Sequence, residues 1–215
     1  MAHKKILYIA LSVLLLTTFA AGENRHTTAS RVRHDAAITY TGRYQVKCGA
    51  EVVQGALKHP ALMGGLWDVY GYAPAYKIKK LAEVGAVHVI DPTGIVGDLW
   101  LLKQQKNSWL YLAQGKIDHW AVPGFNGGSA VFELQIVEKN EFTQVQVEVF
   151  IEPESRIASV VLQLLEPIII KHIDNRVSLN FQDAARLMET IDQTPEKIIA
   201  KLEGALLQEF KQVFK

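Results

Sequence analysis

The chain has one cysteine, Cys48. A single thiol cannot close an internal disulfide, so stability has to come from a packed core. No Asn-x-Ser/Thr acceptor occurs, and no HExxH, GxSxG, CxxC or phosphate-loop pattern is present. That removes the commonest signatures of zinc peptidases, serine hydrolases, dithiol redox proteins and nucleotide hydrolases. Histidine and methionine are too sparse for a convincing metal site, and nothing calls for a cofactor. Charge of one sign is also missing: 23 Lys and Arg stand against 22 Asp and Glu. A general nucleic-acid binder needs a strong basic excess, so nucleic acid is not an expected partner. There is no internal repeat and no low-complexity tract.

The first 22 residues have the layout of a secretory signal peptide. His3, Lys4 and Lys5 are basic, Ile6 to Phe19 is an almost unbroken apolar run, and Ala20, Ala21 and Gly22 are small. The run falls short of the roughly 20 residues that span a bilayer as a helix. Cleavage after Gly22 is expected, with an uncleaved anchor as the alternative. Removing the two lysines of residues 1–22 leaves 21 basic against 22 acidic groups. An exported chain of about 190 residues without disulfides fits a bacterial periplasm or a secreted state, as one domain.

Residues 23–36 (ENRHTTASRVRHDA) are polar and lack periodicity, and read as a flexible leader. Ala37 to Cys48 alternates and reads as a strand. Ala50 to Leu57 and Ala61 to Tyr70 suit two short helices separated by His59-Pro60. Period-two candidates follow at Tyr76 to Leu81, Val87 to Asp91, Gly97 to Leu102, Trp109 to Gln114, Ala130 to Glu138 and Thr143 to Glu152. Asp91-Pro92-Thr93-Gly94 and the polar connections Lys103 to Ser108 and Lys139 to Glu141 separate them as turns. From Glu154 the period becomes helical. Ile157 to Ile170 is apolar nearly all round, which predicts a helix buried on most sides and kinked at Pro167. Its stripe continues through Ile173, Val177, Phe181, Ala184, Met188 and Ile191. Thr194-Pro195-Glu196 predicts a new helix, with Thr as cap, running to Phe214 on an apolar stripe.

Strand, two short helices, six strands, long helix: this order resembles the START-like superfamily, the helix-grip fold shared with birch-pollen-type allergens and polyketide cyclases. The resemblance covers Ala37 to Ile191. Ala50 to Lys58 looks like that superfamily's first helix, and His59-Pro60-Ala61-Leu62 like its turn into the second. It implies an α+β fold: a curved antiparallel sheet of about seven strands wrapped on a long C-terminal helix. The ligand-binding domain would span 37–193, with 194–215 as an added amphipathic helix. It also implies an internal pocket for a hydrophobic or lipid-like small molecule.

Aromatic residues crowd the regions that would line such a pocket. Trp67, Tyr70, Tyr72, Trp100, Trp109 and Tyr111 are candidates, joined by His119, Trp120 and Phe125 in the Gly-rich stretch Gly115 to Gly128. Tyr72, Tyr111 or His119 would orient a polar head. The leading expectation is a non-enzymatic carrier or sensor. A cyclase- or hydrolase-like enzyme with His119 or His88 as base is one rival. An interaction module with a filled core is the other. The C-terminal helix is a candidate for membrane-surface contact or self-association.

Overall fold

A computed structural model describes residues 24–92, 94–117 and 127–214, without the side chain of Ile117. The expected signal peptide, and His119, Trp120 and Phe125, lie outside these residues. The elements are α1 (Arg25–Asp35), β1 (Ile38–Val46), α2 (Ala50–Lys58), α3 (Pro60–Val69), β2 (Lys77–Lys80), β3 (Ala86–Asp91), β4 (Ile95–Gln105), β5 (Ser108–Ile117), β6 (Gly128–Glu138), β7 (Thr143–Pro153), α4 (Arg156–Leu164), α5 (Glu166–Gln193), α6 (Pro195–Ile199) and α7 (Gly204–Val213).

The strands form one antiparallel sheet in the order β1-β7-β6-β5-β4-β3-β2. The sheet is curved and unclosed, with the long helix α5 on it, which is the helix-grip arrangement. The expected turn at Asp91 is present, with Gly94 N–H donating to Asp91 O at 3.0 Å.

The backbone shows where the sheet can bend. Gly97, Gly115 and Gly128 stand opposite one another on β4, β5 and β6. A Cβ on Gly97 would lie 2.5 Å from Gln114 O, and one on Gly115 2.5 Å from Val96 O. Only glycine permits this approach, and such rows let a sheet fold over. A register shift between Leu101 and Lys103 adds a second bend on β4.

Alternation then gives the sheet two apolar faces. On the concave face Tyr111, Val145, Val147 and Val149 meet Leu62 and Leu66 of α3 and Leu187, Met188 and Ile191 of α5 in the main core. On the convex face Trp100, Leu112, Val131 and Phe150 form a second stripe. The segment read as a flexible leader covers that stripe as α1. Thr28, Ala29 and Val32 are its buried residues. The sequence concealed this because the helix buries a narrow strip of small side chains, too little to show as periodicity. Arginines reinforce the contact. Arg25 pairs with Glu83 and lies 4.4 Å over the Trp100 ring, Arg31 pairs with Glu152, and Arg33 pairs with Glu133. The Asn24 side chain caps α1 by accepting from His26 N–H at 2.9 Å.

Four further expectations change. The helix expected to kink at Pro167 ends at Leu164, and α5 starts with Pro167 in its first turn, where the missing N–H costs nothing. It is not buried on most sides either. Leu162 is buried, but Ile157 and Leu164 are 79% and 77% exposed. The expected helix from Thr194 to Phe214 is two: α6 stops at Ile199 and α7 starts at Gly204, whose φ of 54° is a left-handed conformation. The Thr194 side chain makes no cap hydrogen bond. Ile198, Leu202 and Phe210 are buried in the main core, so this stripe is covered by the domain itself. It does not offer those residues to a membrane or a second copy.

Gly115→Ala is expected to lower stability by about 1–3 kcal/mol, the usual cost of overpacking, in urea unfolding followed by far-UV circular dichroism. An unchanged midpoint would mean that the close approach of β4 and β5 does not constrain the fold.

Candidate functional site

Between α5, α3, α2 and the concave face of the sheet lies a cavity of about 430 Å³. Val177, Phe181, Ala184 and Met188 of α5 form one wall, because positions three and four apart share a helix face. Leu99, Tyr111, Phe132, Leu134, Val145 and Val147 form the sheet wall. Val53, Met63, Trp67 and Ile78 close the side. The lining is almost wholly apolar, the usual character of a small-molecule site.

Three lining residues carry side-chain polar groups beyond an indole: Tyr111, Tyr76 and Asn180. The Tyr111 hydroxyl donates to Leu57 O, and burial holds its phenol well above the ordinary range. The Tyr76 oxygen accepts from Asn180 Nδ2 at 2.6 Å and from Arg176 Nη2 at 3.1 Å. Burial raises the Tyr76 pKa, and the neighbouring Arg176 opposes that rise. Arg176 is paired with Asp91, which is 5% exposed at the end of β3. This cluster ties α5 to the β3 side of the sheet. At the opposite edge, the Tyr40 hydroxyl on β1 donates to Asp174 Oδ1 at 2.6 Å and lies 2.7 Å from the Tyr44 hydroxyl.

Of the residues expected to bind ligand, Trp67 and Tyr111 line the cavity. Trp67 is held by its indole N–H donating to Pro74 O at 3.0 Å. Tyr72 packs edge-on against Trp67 with centroids 5.2 Å apart, so it supports the wall from behind. Tyr70 lies beside Tyr72 under Lys201, whose Nζ is 4.2 Å from the ring centroid. Trp109 is 2% exposed within the core and does not line the cavity. Trp100 corrects the expectation outright. It neighbours Leu99 on β4 and so points to the convex face, under α1. The candidate base His88 is on that face too. Its Nδ1 is 2.6 Å from Asp98 Oδ1 across the β3–β4 ladder, turned away from the cavity. Cys48 is buried, and its thiol is pushed up to about 12, chiefly by burial and further by Asp192 and Glu189.

Sequence reasoning missed Arg176 and Asn180. They lie four residues apart and border the apolar stripe of α5, and that spacing was the available signal. Tyr76 entered as the first residue of a strand candidate. A wider depression of about 810 Å³ lies outside the core, lined by charged and amide side chains such as Glu51, Lys58, Lys80 and Glu209. It is larger, yet its Lys80 and Glu209 already pair at 2.7 Å, so the cavity under α5 is the better candidate.

No family model and no curated sequence matches the chain. Solved structures similar to it include a START superfamily protein from Mycobacterium smegmatis, at 14% identity, with 71% of this chain and 98% of that one covered and a TM-score of 0.49. Ara h 8.0201 is similar at 10% identity over 75% of this chain and 97% of that one, with a TM-score of 0.47. Truncated norcoclaurine synthase from Thalictrum flavum is similar at 12% identity over 69% and 91%, with a TM-score of 0.46.

Filling the cavity tests its walls. Ala184→Leu is expected to raise stability by about 1 kcal/mol, as cavity-filling changes commonly do. Trp100→Ala is expected to destabilise by roughly 3 kcal/mol, as large-to-small core changes do. Chemical denaturation of both variants checks this. A destabilised Ala184→Leu would show that the space beside Ala184 is already occupied.

Proposed function

We propose that the chain binds an apolar, lipid-like small molecule in the cavity under α5, as a non-enzymatic carrier or sensor outside the cytoplasm. The observation that carries this reading is the lining itself: both walls present apolar side chains to open space in the middle of the domain. At about 30 Å³ per water-sized group, the volume has room for roughly a dozen methylene-sized groups. A chain of about ten methylenes gains roughly 8 kcal/mol on burial, at about 0.8 kcal/mol each, before the cost of association is taken off.

The proposed location rests on the basic, apolar and small-residue order of residues 1–22. Asn24 is the cap of α1, so cleavage after Gly22 would leave the helix and its convex-face contacts complete.

Native mass spectrometry of protein purified from the periplasm of a bacterial host is expected to show a bound small molecule, or to gain one after incubation with membrane lipid extract. In Ala184→Leu the adduct is expected to be lost, while Trp100→Ala keeps its affinity within about twofold. A mass of the unliganded chain under every condition would sink the binder reading. The same spectra read the N-terminus: a chain beginning at Glu23 is expected, and one that keeps residues 1–22 in the membrane fraction would point to an anchor instead.

A further inference from the structure

The hydrogen bonds along the cavity wall specify more than an apolar ligand. A phenolic oxygen has one proton to donate and lone pairs to accept with. Tyr111 spends its proton on Leu57 O. Tyr76 does not spend its own inside the protein: its oxygen accepts from Asn180 Nδ2 and from Arg176 Nη2, and its described hydrogen bonds end there. The Tyr76 hydroxyl is therefore a donor on the cavity wall whose proton no described protein group accepts. Two donors pulling on its oxygen strengthen that proton as a hydrogen-bond donor. The charge of the guanidinium behind it is already balanced, because Arg176 pairs with the buried carboxylate of Asp91.

From this arrangement we infer that Tyr76 is the polar anchor of the site, and that the ligand carries a neutral hydrogen-bond acceptor, a carbonyl or hydroxyl oxygen, at the end that reaches the Tyr76–Arg176–Asn180 cluster. An anionic head would bring a second negative charge to a guanidinium that already has one, and would lose its hydration among apolar walls. A pure hydrocarbon would leave the Tyr76 proton unsatisfied. This rests on the pocket reading above and adds the ligand's head to it.

Three probes of matched length separate the alternatives: undecane, methyl nonyl ketone and undecanoate. Their affinities for the whole protein would be measured by isothermal titration calorimetry, which reads all three probes alike. Methyl nonyl ketone is expected to bind about fivefold or more tightly than undecane, the worth of one net hydrogen bond, and more tightly than undecanoate. In Tyr76→Phe, which keeps the ring, the ketone preference is expected to vanish while undecane affinity stays within about twofold. Equal binding of ketone and undecane to the unaltered protein would place the Tyr76 proton on Asn180 Oδ1 and overturn the anchor alone; that comparison needs no variant. Tighter binding of undecanoate would overturn the neutral head. Loss of both neutral probes by the same factor in Tyr76→Phe would reduce Tyr76 to packing. Binding of none of the three to the unaltered protein would overturn the pocket reading and the anchor together.

Discussion

The close approach of three backbones, at Gly97, Gly115 and Gly128, is the constraint on which the rest of the molecule depends. A flat seven-stranded sheet would let α5 lie directly on it and exclude everything else. Where the chains come together without side chains between them, the sheet is able to curve. A curved sheet meets a straight helix closely only in part. The C-terminal half of α5 makes that contact through Ala185, Leu187, Met188 and Ile191, which are buried. The cavity lies beside the middle of the helix, where Val177, Asn180, Phe181, Ala184 and Met188 face it. The helix is also tied at both sides of the sheet. Asp174 reaches Tyr40 on β1, and two residues later Arg176 reaches Asp91 on β3. Charged and hydrogen-bonded ties set a distance, whereas apolar packing would have drawn the helix inward.

The convex face follows from the same alternation. A sheet whose inner residues must be apolar to hold α5 does not need an apolar outer stripe, yet Trp100, Leu112, Val131 and Phe150 supply one. Such a stripe has to be covered. The cover is a helix rich in arginine and threonine. Its few small buried residues contribute little area, so the side chains that straddle the aromatic rings carry much of the contact. Arg25 over Trp100 and Arg33, 6.0 Å over Phe150, combine ring contact with ion pairs to Glu83 and Glu133. Exposed ion pairs alone are worth little. Here the arginine stems also shield apolar surface.

The seven strands, their turns and the long helix were legible because each is marked by period and punctuation. Thr143 to Val149 alternates without a break, and β7 runs Thr143–Pro153 with Thr143, Val145, Val147 and Val149 buried at every second place. What was not legible depends on faces and on distance. Trp100 and Tyr111 look alike in a list of aromatics, but one residue of register sends them to opposite sides of the sheet. The burial of α1 is a property of the stripe it covers, not of its own residues. The apolar run at Ile157 to Ile170 reads as core, yet Leu162 is the one fully buried residue of α4, packed with Ala158 against Ala37 and Ile38. Tyr76 is 100 and 104 residues from Arg176 and Asn180, and no local pattern joins it to them.

The size of the cavity bears on whether it stands empty. Unfilled apolar volume costs about 24 cal/mol per Å³ where the surroundings cannot relax. The space under α5 is open to solvent on one side, so only its dry part carries that cost. Water is a poor filler among such walls, because it needs two to four polar partners. The cavity's described side chains offer two phenols and one amide beside an indole, and the Tyr111 proton and the indole N–H already have protein acceptors. A molecule occupying the space would displace solvent from the apolar walls, and one that reaches Tyr76 would do so beside the ties of α5 to Asp91. A ligand that satisfies Tyr76 holds α5 where Arg176 and Asp174 also place it, so its binding energy adds to folding stability by mass action. On the proposed reading, Arg176 and Asn180 would both position the helix and stand behind the group that meets the ligand's head, so recognition and stability would share those side chains.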